Sequence, residues 1–313
     1  MNKYPHGVMF HHFHDTKEYR KCQGSLTSED FSDLLDFYIA EGHNILSADD
    51  YVFKLQKHTL KPEDVCITFD DGLKCQADIA LPVLTDRRIG AFWFCYTSPM
   101  EGVAERLEIY HDFRFLCFND IDQFYESFFN FSILHEKELG VPVEKVLAEY
   151  NPATYHKNQT IYTDNDKRFR YLRDNILGQK NYYFLMDSMM KDFSYDEEAR
   201  MKYLWIQEKE INLLVHNGQK IGLHSHTHPT TLGQYDRERQ YEEYKRNKDI
   251  LESKTGETVD CVSYPCGSYN EDTISIMKEL GIRTGFIAVM KDTNSSAYEL
   301  PRENHSNIFR RMR

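Results

Sequence analysis

The stretch Val65–Gly72, Val-Cys-Ile-Thr-Phe-Asp-Asp-Gly, constrains this chain more than any other. Its short apolar, β-branched run reads as a buried strand. The run ends in two adjacent carboxylates and a glycine. Acids at the end of a buried strand cost desolvation energy and repel each other, so a fold keeps such a pair when it binds a metal or moves a proton. The glycine lets the backbone turn, which can bring both acids into one pocket. The competing reading makes them a helix N-cap pair, because Asp is favoured there and a helix follows.

A second chemistry-bearing stretch is His224-Ser225-His226-Thr227-His228-Pro229, after the strand-like run Ile221-Gly222-Leu223. One carboxylate with two neutral imidazoles forms a metal-binding set that leaves positions open for water and substrate. Spacing alone does not say which two histidines bind, and a solvated histidine-rich turn is the plain alternative. His11, His12 and His14 close the first strand-like run and can serve as neighbours or substrate contacts of such a site. Ser263-Tyr264-Pro265-Cys266-Gly267-Ser268-Tyr269-Asn270 lies between a strand and a helix, where backbone N–H groups can stabilise an oxyanion. A simple connection with Asn270 as N-cap is the bland reading of that turn. Cys266 has no evident base to make it a nucleophile.

Short apolar runs alternate with amphipathic segments. Strands are expected over 8–13, 44–46, 65–69, 89–96, 221–226, 261–265 and 284–290. Helices are expected after the Thr27/Asp30 capping box and over 77–86, 203–216, 236–252 and 271–280. Strands alternating with helices predict a parallel α/β architecture, with sites at the C-terminal strand ends. Residues 98–202 break the rhythm. Rich in Phe, Tyr and charge, they read as a mainly helical insertion within one catalytic domain spanning 1–313.

A net charge of −12 and a pI near 5.6 argue against nucleic acid and anionic membrane surfaces. No apolar run is long enough to span a membrane. The N-terminus enters a strand-like run without an apolar leader. Seven cysteines form an odd set with no C-x-x-C, which reads as reduced thiols and predicts a cytoplasmic protein. Tyr and Phe are abundant, at 21 and 20 residues; most are expected to pack, and some to stack on sugar rings.

In chain order, Thr68-Phe69-Asp70-Asp71-Gly72, His224-Ser225-x-x-His228-Pro229 and Tyr264-Pro265-x-Gly267 resemble the motifs of the polysaccharide deacetylases, the family-4 carbohydrate esterases. The resemblance covers roughly 1–97 and 203–313. It implies a distorted (β/α) barrel of about seven parallel strands and metal-dependent hydrolysis of an N-acetyl amide on a sugar or oligosaccharide. It implies that Asp70 is the catalytic base and that Asp71, His224 and His228 hold a divalent ion. Zinc is the first expectation, ahead of cobalt, nickel, iron or manganese. By the same resemblance His226 is a spacer, the Cys266 N–H helps hold the oxyanion, and His11, Tyr264 and Pro265 border the substrate. Ser263 stands where the family often has an arginine that orients the base, and Arg302 is expected to replace it. His305 is the candidate general acid by position. The alternatives are a hydrolase of a non-sugar amide on the same fold and a catalytically silent carbohydrate-binding protein. The sequence does not define the oligomeric state.

Overall fold

The computed structural model describes residues 4–151, 163–292 and 296–312. The chain divides into two compact units, 1–105 with 198–313, and 106–197.

Among the described residues the first unit carries eight strands: β1 (His6–Phe10), β2 (Asn44–Leu46), β3 (Asp64–Phe69), β4 (Phe92–Cys95), β5 (Lys220–Leu223), β6 (Cys261–Ser263), β7 (Thr284–Phe286) and β8 (Arg302–Asn304). Seven run in the order β7-β6-β5-β4-β3-β1-β8 as a nearly closed parallel barrel, and β2 pairs with β3 beside it. Every residue of β1, β3 and β4 is buried, as expected for parallel strands covered on both faces. The register sets Phe10 beside Phe69 and Phe69 beside Trp93. The Phe69 and Trp93 rings stack with centroids 4.3 Å apart. Such a pair adds about 0.5–1.5 kcal/mol beyond its buried area. Gly222 on β5 is a steric requirement, because a Cβ there would lie 2.5 Å from the Phe94 ring.

Several elements differ from the sequence expectation in extent. β1 ends at Phe10, so His11, His12 and His14 lie beyond it on the rim. The expected helix 77–86 opens with a wide turn, Gln76–Ala80, and continues as Leu81–Arg87 with Pro82 in its first turn. The expected helix 203–216 is interrupted. Trp205 bridges to Leu73, the Ile206 N–H donates to the Gly72 carbonyl, and the helix restarts at Glu208. The Thr27/Asp30 capping box forms as read, with reciprocal bonds of 3.0 and 3.1 Å. β8 was not anticipated, since Arg-Glu-Asn carries no apolar pattern.

In the second unit, the named elements among the described residues are helical: Arg106–Leu116, Ile121–Leu134, Glu136–Leu139, Val143–Glu149, Asp164–Tyr171, Leu172–Leu177 and Gly178–Asp192. Its aromatic residues pack mainly on one another. Phe169 meets Phe128 at 5.0 Å and Phe124 at 5.4 Å, and the Arg114 guanidinium covers Phe124 at 5.8 Å. No helix among the described residues is long and apolar enough to cross a membrane.

Candidate active site

The parallel register brings the ends of β1, β3, β5 and β6 to one rim. The chain needs unusual backbone there. Among the described residues seven non-glycine positions have positive φ, and four of them, Asp71, Ser225, His228 and Cys266, belong to the three motifs. Each such residue costs of order 1–3 kcal/mol, and strain of this kind concentrates at functional sites.

Asp71 Oδ1 lies 3.4 Å from His224 Nε2 and 3.3 Å from His228 Nε2. The three ligand atoms all fall within 4.8 Å of one another. His224 Nδ1 contacts the Ser263 carbonyl at 2.8 Å. A carbonyl only accepts, so Nδ1 carries a proton there and Nε2 is the nitrogen turned to the shared centre, where it is available to a metal. One carboxylate oxygen and two imidazole nitrogens therefore suit a divalent ion. Burial alone would raise the Asp71 pKa, but the two histidines outweigh it and hold the carboxyl far below its usual range. His228 shifts upward, because its bond to Asp71 outweighs burial. His226 is turned elsewhere: its Nδ1 meets Thr97 Oγ1 at 3.0 Å and its Nε2 lies 3.4 Å from Glu101.

Asp70 is 3% exposed and does not enter this set. The Arg302 guanidinium, 1% exposed, grips it with both hands: Nη1 to Oδ1 at 2.6 Å and Nη2 to Oδ2 at 2.7 Å. Ser263 Oγ donates to Oδ2 at 3.2 Å and accepts from Arg302 Nη2 at 2.7 Å. The arginine is itself held by the Ile287 carbonyl and Thr68 Oγ1. Burial pushes the Asp70 pKa up, and Arg302, the largest opposing influence, brings it below the ordinary value. An ionised carboxylate offers about four acceptor sites. Arg302 and Ser263 fill two on Oδ2 and Arg302 fills one on Oδ1, which leaves Oδ1 one site for a proton. The structure thus places Arg302 against Asp70 in a two-point contact.

His11 lies close enough to Asp71 and Asp70 for both to raise its pKa, although burial dominates and lowers it. In the Tyr264–Ser268 turn, the Gly267 and Ser268 N–H groups are spent on the Tyr264 and Pro265 carbonyls. Cys266 is exposed at φ 52°. Its thiol is pushed up to about 11, first by desolvation and then by Asp71 and Asp70, so near neutral pH it stays a thiol and not a nucleophile.

Two expected site residues are placed otherwise. Tyr264 is fully buried, its hydroxyl donates to the Tyr298 carbonyl at 2.9 Å, and its ring stacks on Tyr269, so the side chain supports the turn from below. Pro265 is buried with it. His305 stacks on Phe10, with Nδ1 3.1 Å from the Met9 carbonyl and Nε2 2.8 Å from the Gly24 carbonyl. A ring committed to two backbone carbonyls has no nitrogen turned toward a leaving group.

Sequence reasoning missed three supporting residues. Asn247 Oδ1 accepts the His224 N–H at 2.9 Å, while its Nδ2 donates to the Cys95 carbonyl and to Thr97 Oγ1. Glu243, one turn earlier on the helix Arg237–Thr255, accepts the N–H groups of His226 and Thr227 and the Thr227 hydroxyl. Gln76 Nε2 donates to the carbonyls of His11 and Asp70 at 2.9 and 2.6 Å. The only signal for the first two was their spacing of four on one helix face. Asn247→Ala leaves the His224 N–H unpaired in a buried site. It is expected to weaken divalent-ion uptake by about 10–100-fold, the usual loss when a residue supporting a ligand is removed. Competition against a chromogenic chelator reads this, and unchanged affinity would rule the positioning role out.

Residues 153–285 match the model of the polysaccharide deacetylase family. That span holds the histidine and Tyr-Pro motifs; the Asp pair lies outside it, and the fold delivers Asp71 to His224 and His228. Similar solved structures include the Streptococcus pyogenes deacetylase PplD in complex with acetate, at 14% identity and TM-score 0.55, covering 97% of this chain and 93% of that one. IcaB from Ammonifex degensii matches at 14% identity and TM-score 0.56, covering 96% and 91%. The deacetylase domain of BpsB from Bordetella bronchiseptica matches at 14% identity and TM-score 0.53, covering 96% of each. No curated protein matches. The barrel has the fold of these solved deacetylase structures, and the family model matches across the histidine and Tyr-Pro motifs.

Proposed function

We propose that the protein is a divalent-metal-dependent hydrolase that removes an N-acetyl group from a sugar or glycan precursor. The observation that carries this reading is the division of labour between neighbouring carboxylates. Asp71 faces two histidines, while Asp70 faces a buried arginine and keeps an open acceptor site. A site that only bound an ion would not need the second, separately held carboxylate.

A divalent ion on Asp71, His224 and His228 supplies Lewis acidity toward the acetyl carbonyl and toward water. Asp70 accepts the proton of the attacking water through Oδ1, and Arg302 and Ser263 keep that carboxylate in place throughout. The Cys266 N–H faces the tetrahedral oxyanion, a contact of the kind worth about 2.7–4 kcal/mol where it has been removed. As the C–N bond breaks, the proton taken by Asp70 returns to the amine nitrogen, and His11, beside both carboxylates, contacts that leaving group.

The test is acetate release from a panel of N-acetylated sugars, nucleotide sugars and oligosaccharides, with metal-loaded and chelator-treated protein side by side. Release is expected from a subset of the panel, with loss on chelation and return on adding the metal. Stoichiometric metal with no release across the panel would transfer the site to a non-sugar amide or to binding without turnover.

A further inference from the structure

A cavity of about 520 Å³ lies in the same unit as the candidate active site. That size lies in the usual range for small-molecule sites, roughly 300–1,000 Å³. Its walls come from two separate segments. The loop after β1 contributes His14, Lys21, Ser25 and Thr27, and the C-terminal helix His305–Met312 contributes Ser306 and Arg310. His305 forms part of its wall. That ring also stacks on Phe10 and contacts the Met9 carbonyl, and the next residue of the strand's path, His11, faces Asp70 and Asp71. The two rings also sense each other electrostatically, His11 lowering the His305 pKa after burial, so the cavity wall lies within electrostatic reach of the active-site rim.

The cavity's charge is opposite in sign to that of the protein. In a chain of net charge −12, its wall brings Lys21 and Arg310 together from two elements. Neither cation has an ion pair among the described residues. The one carboxylate in the wall, Asp30, is committed to the Thr27 N–H in the helix cap. Asp15 nearby accepts the N–H groups of Lys17, Glu18 and Tyr19. Lys21 is near enough to His14 to lower that ring's pKa, second only to burial. Ser25 Oγ is engaged with Cys22 and His14, and Thr27 Oγ1 with the Asp30 N–H, so the two cations without ion pairs are the groups in this wall that suit a phosphate, whose oxygens accept several charge-assisted bonds at once.

We propose that this cavity binds a phosphate or diphosphate group carried by the N-acetylated sugar, so that the substrate is a phosphorylated sugar and not a neutral glycan. The proposal rests on the deacetylase reading for the sugar half and on the cavity alone for the anion half.

The experiment titrates N-acetylglucosamine, N-acetylglucosamine 1-phosphate and inorganic pyrophosphate calorimetrically. It uses metal-loaded Asp70→Asn protein, in which turnover is expected to be slowed about 10²–10⁴-fold, and metal-free wild type. The phosphorylated sugar should bind at least about tenfold tighter than the neutral one, the least expected of one charge-assisted bond. Pyrophosphate should bind the metal-free protein, where no ion can capture it. Both effects should vanish in Lys21→Ala/Arg310→Ala, whose substitutions are exposed and leave the fold intact, and should reverse in Lys21→Glu/Arg310→Glu. Equal affinity for the two sugars, or a phosphate preference that survives the double variant, would overturn the proposal. Cation-dependent pyrophosphate binding without acetate release from any sugar would keep the anion site and overturn the deacetylase reading. Acetate release from neutral sugars with no pyrophosphate binding would do the reverse.

Discussion

Asp70→Asn protein is expected to take up its divalent ion like wild type and to release acetate at least about 10²–10⁴-fold more slowly, the usual contribution of a positioned base. The separation of the two readouts follows from geometry. Asp71, His224 and His228 meet around one centre, and Asp70 meets Arg302 and Ser263 instead. Asparagine keeps the volume and can still accept a bond from Arg302 through its carbonyl oxygen. It has no carboxylate lone pair to take the water's proton. The measurements are metal content of the dialysed protein and initial rates on the best substrate of the panel. A variant within about tenfold of wild type would show that Asp70 is not the base, since even weak proton transfer contributes more than that. A variant that lost its metal as well would place Asp70 among the ligands.

The acids and histidines were legible because their chemistry conflicts with their setting. Two adjacent aspartates closing Val-Cys-Ile-Thr-Phe, and three histidines packed into one turn, are hard to explain as ordinary surface. Strand alternation revealed the barrel, because fully buried parallel strands leave unbroken apolar runs such as Phe92–Cys95. Polar residues whose role depends on burial left no such trace. Asn247 and Glu243 sit in Arg-Glu-Arg-Gln-Tyr-Glu-Glu-Tyr-Lys-Arg-Asn, which reads as a solvated helix face, yet Asn247 is fully buried and ties the ends of β4 and β5 together. Tyr264 and His305 failed as site residues for the converse reason. Their positions in the order of motifs are right, but which side of the turn or strand they face is decided by packing against Tyr269 and Phe10. Arg302 was singled out because Ser263 stands where the family often has an arginine and Leu300-Pro301-Arg302 offers another, and it does contact Asp70.

Arg302→Met should produce the largest loss of stability of any single change near the site. It removes the guanidinium paired with a carboxylate that is 3% exposed. Breaking a buried pair from one side typically costs about 3–5 kcal/mol, because the remaining charge is left uncompensated. The pH dependence identifies the cause. In the wild type, Arg302 holds the Asp70 pKa below its unfolded value, so the pair's contribution is present above the unfolded pKa and lost as pH falls through the folded one. In the variant, burial acts without the arginine and raises the Asp70 pKa above the unfolded value. The destabilisation is then largest at neutral pH and shrinks as Asp70 is protonated in acid. Urea unfolding of both proteins at pH 7 and near pH 4.5 measures this, and a deficit independent of pH would assign the loss to packing instead. Asp70→Leu/Arg302→Met should recover much of the stability, since replacing both members of a buried pair with apolar side chains is often neutral. It should remain inactive, which would separate the pair's role in the reaction from its role in the fold.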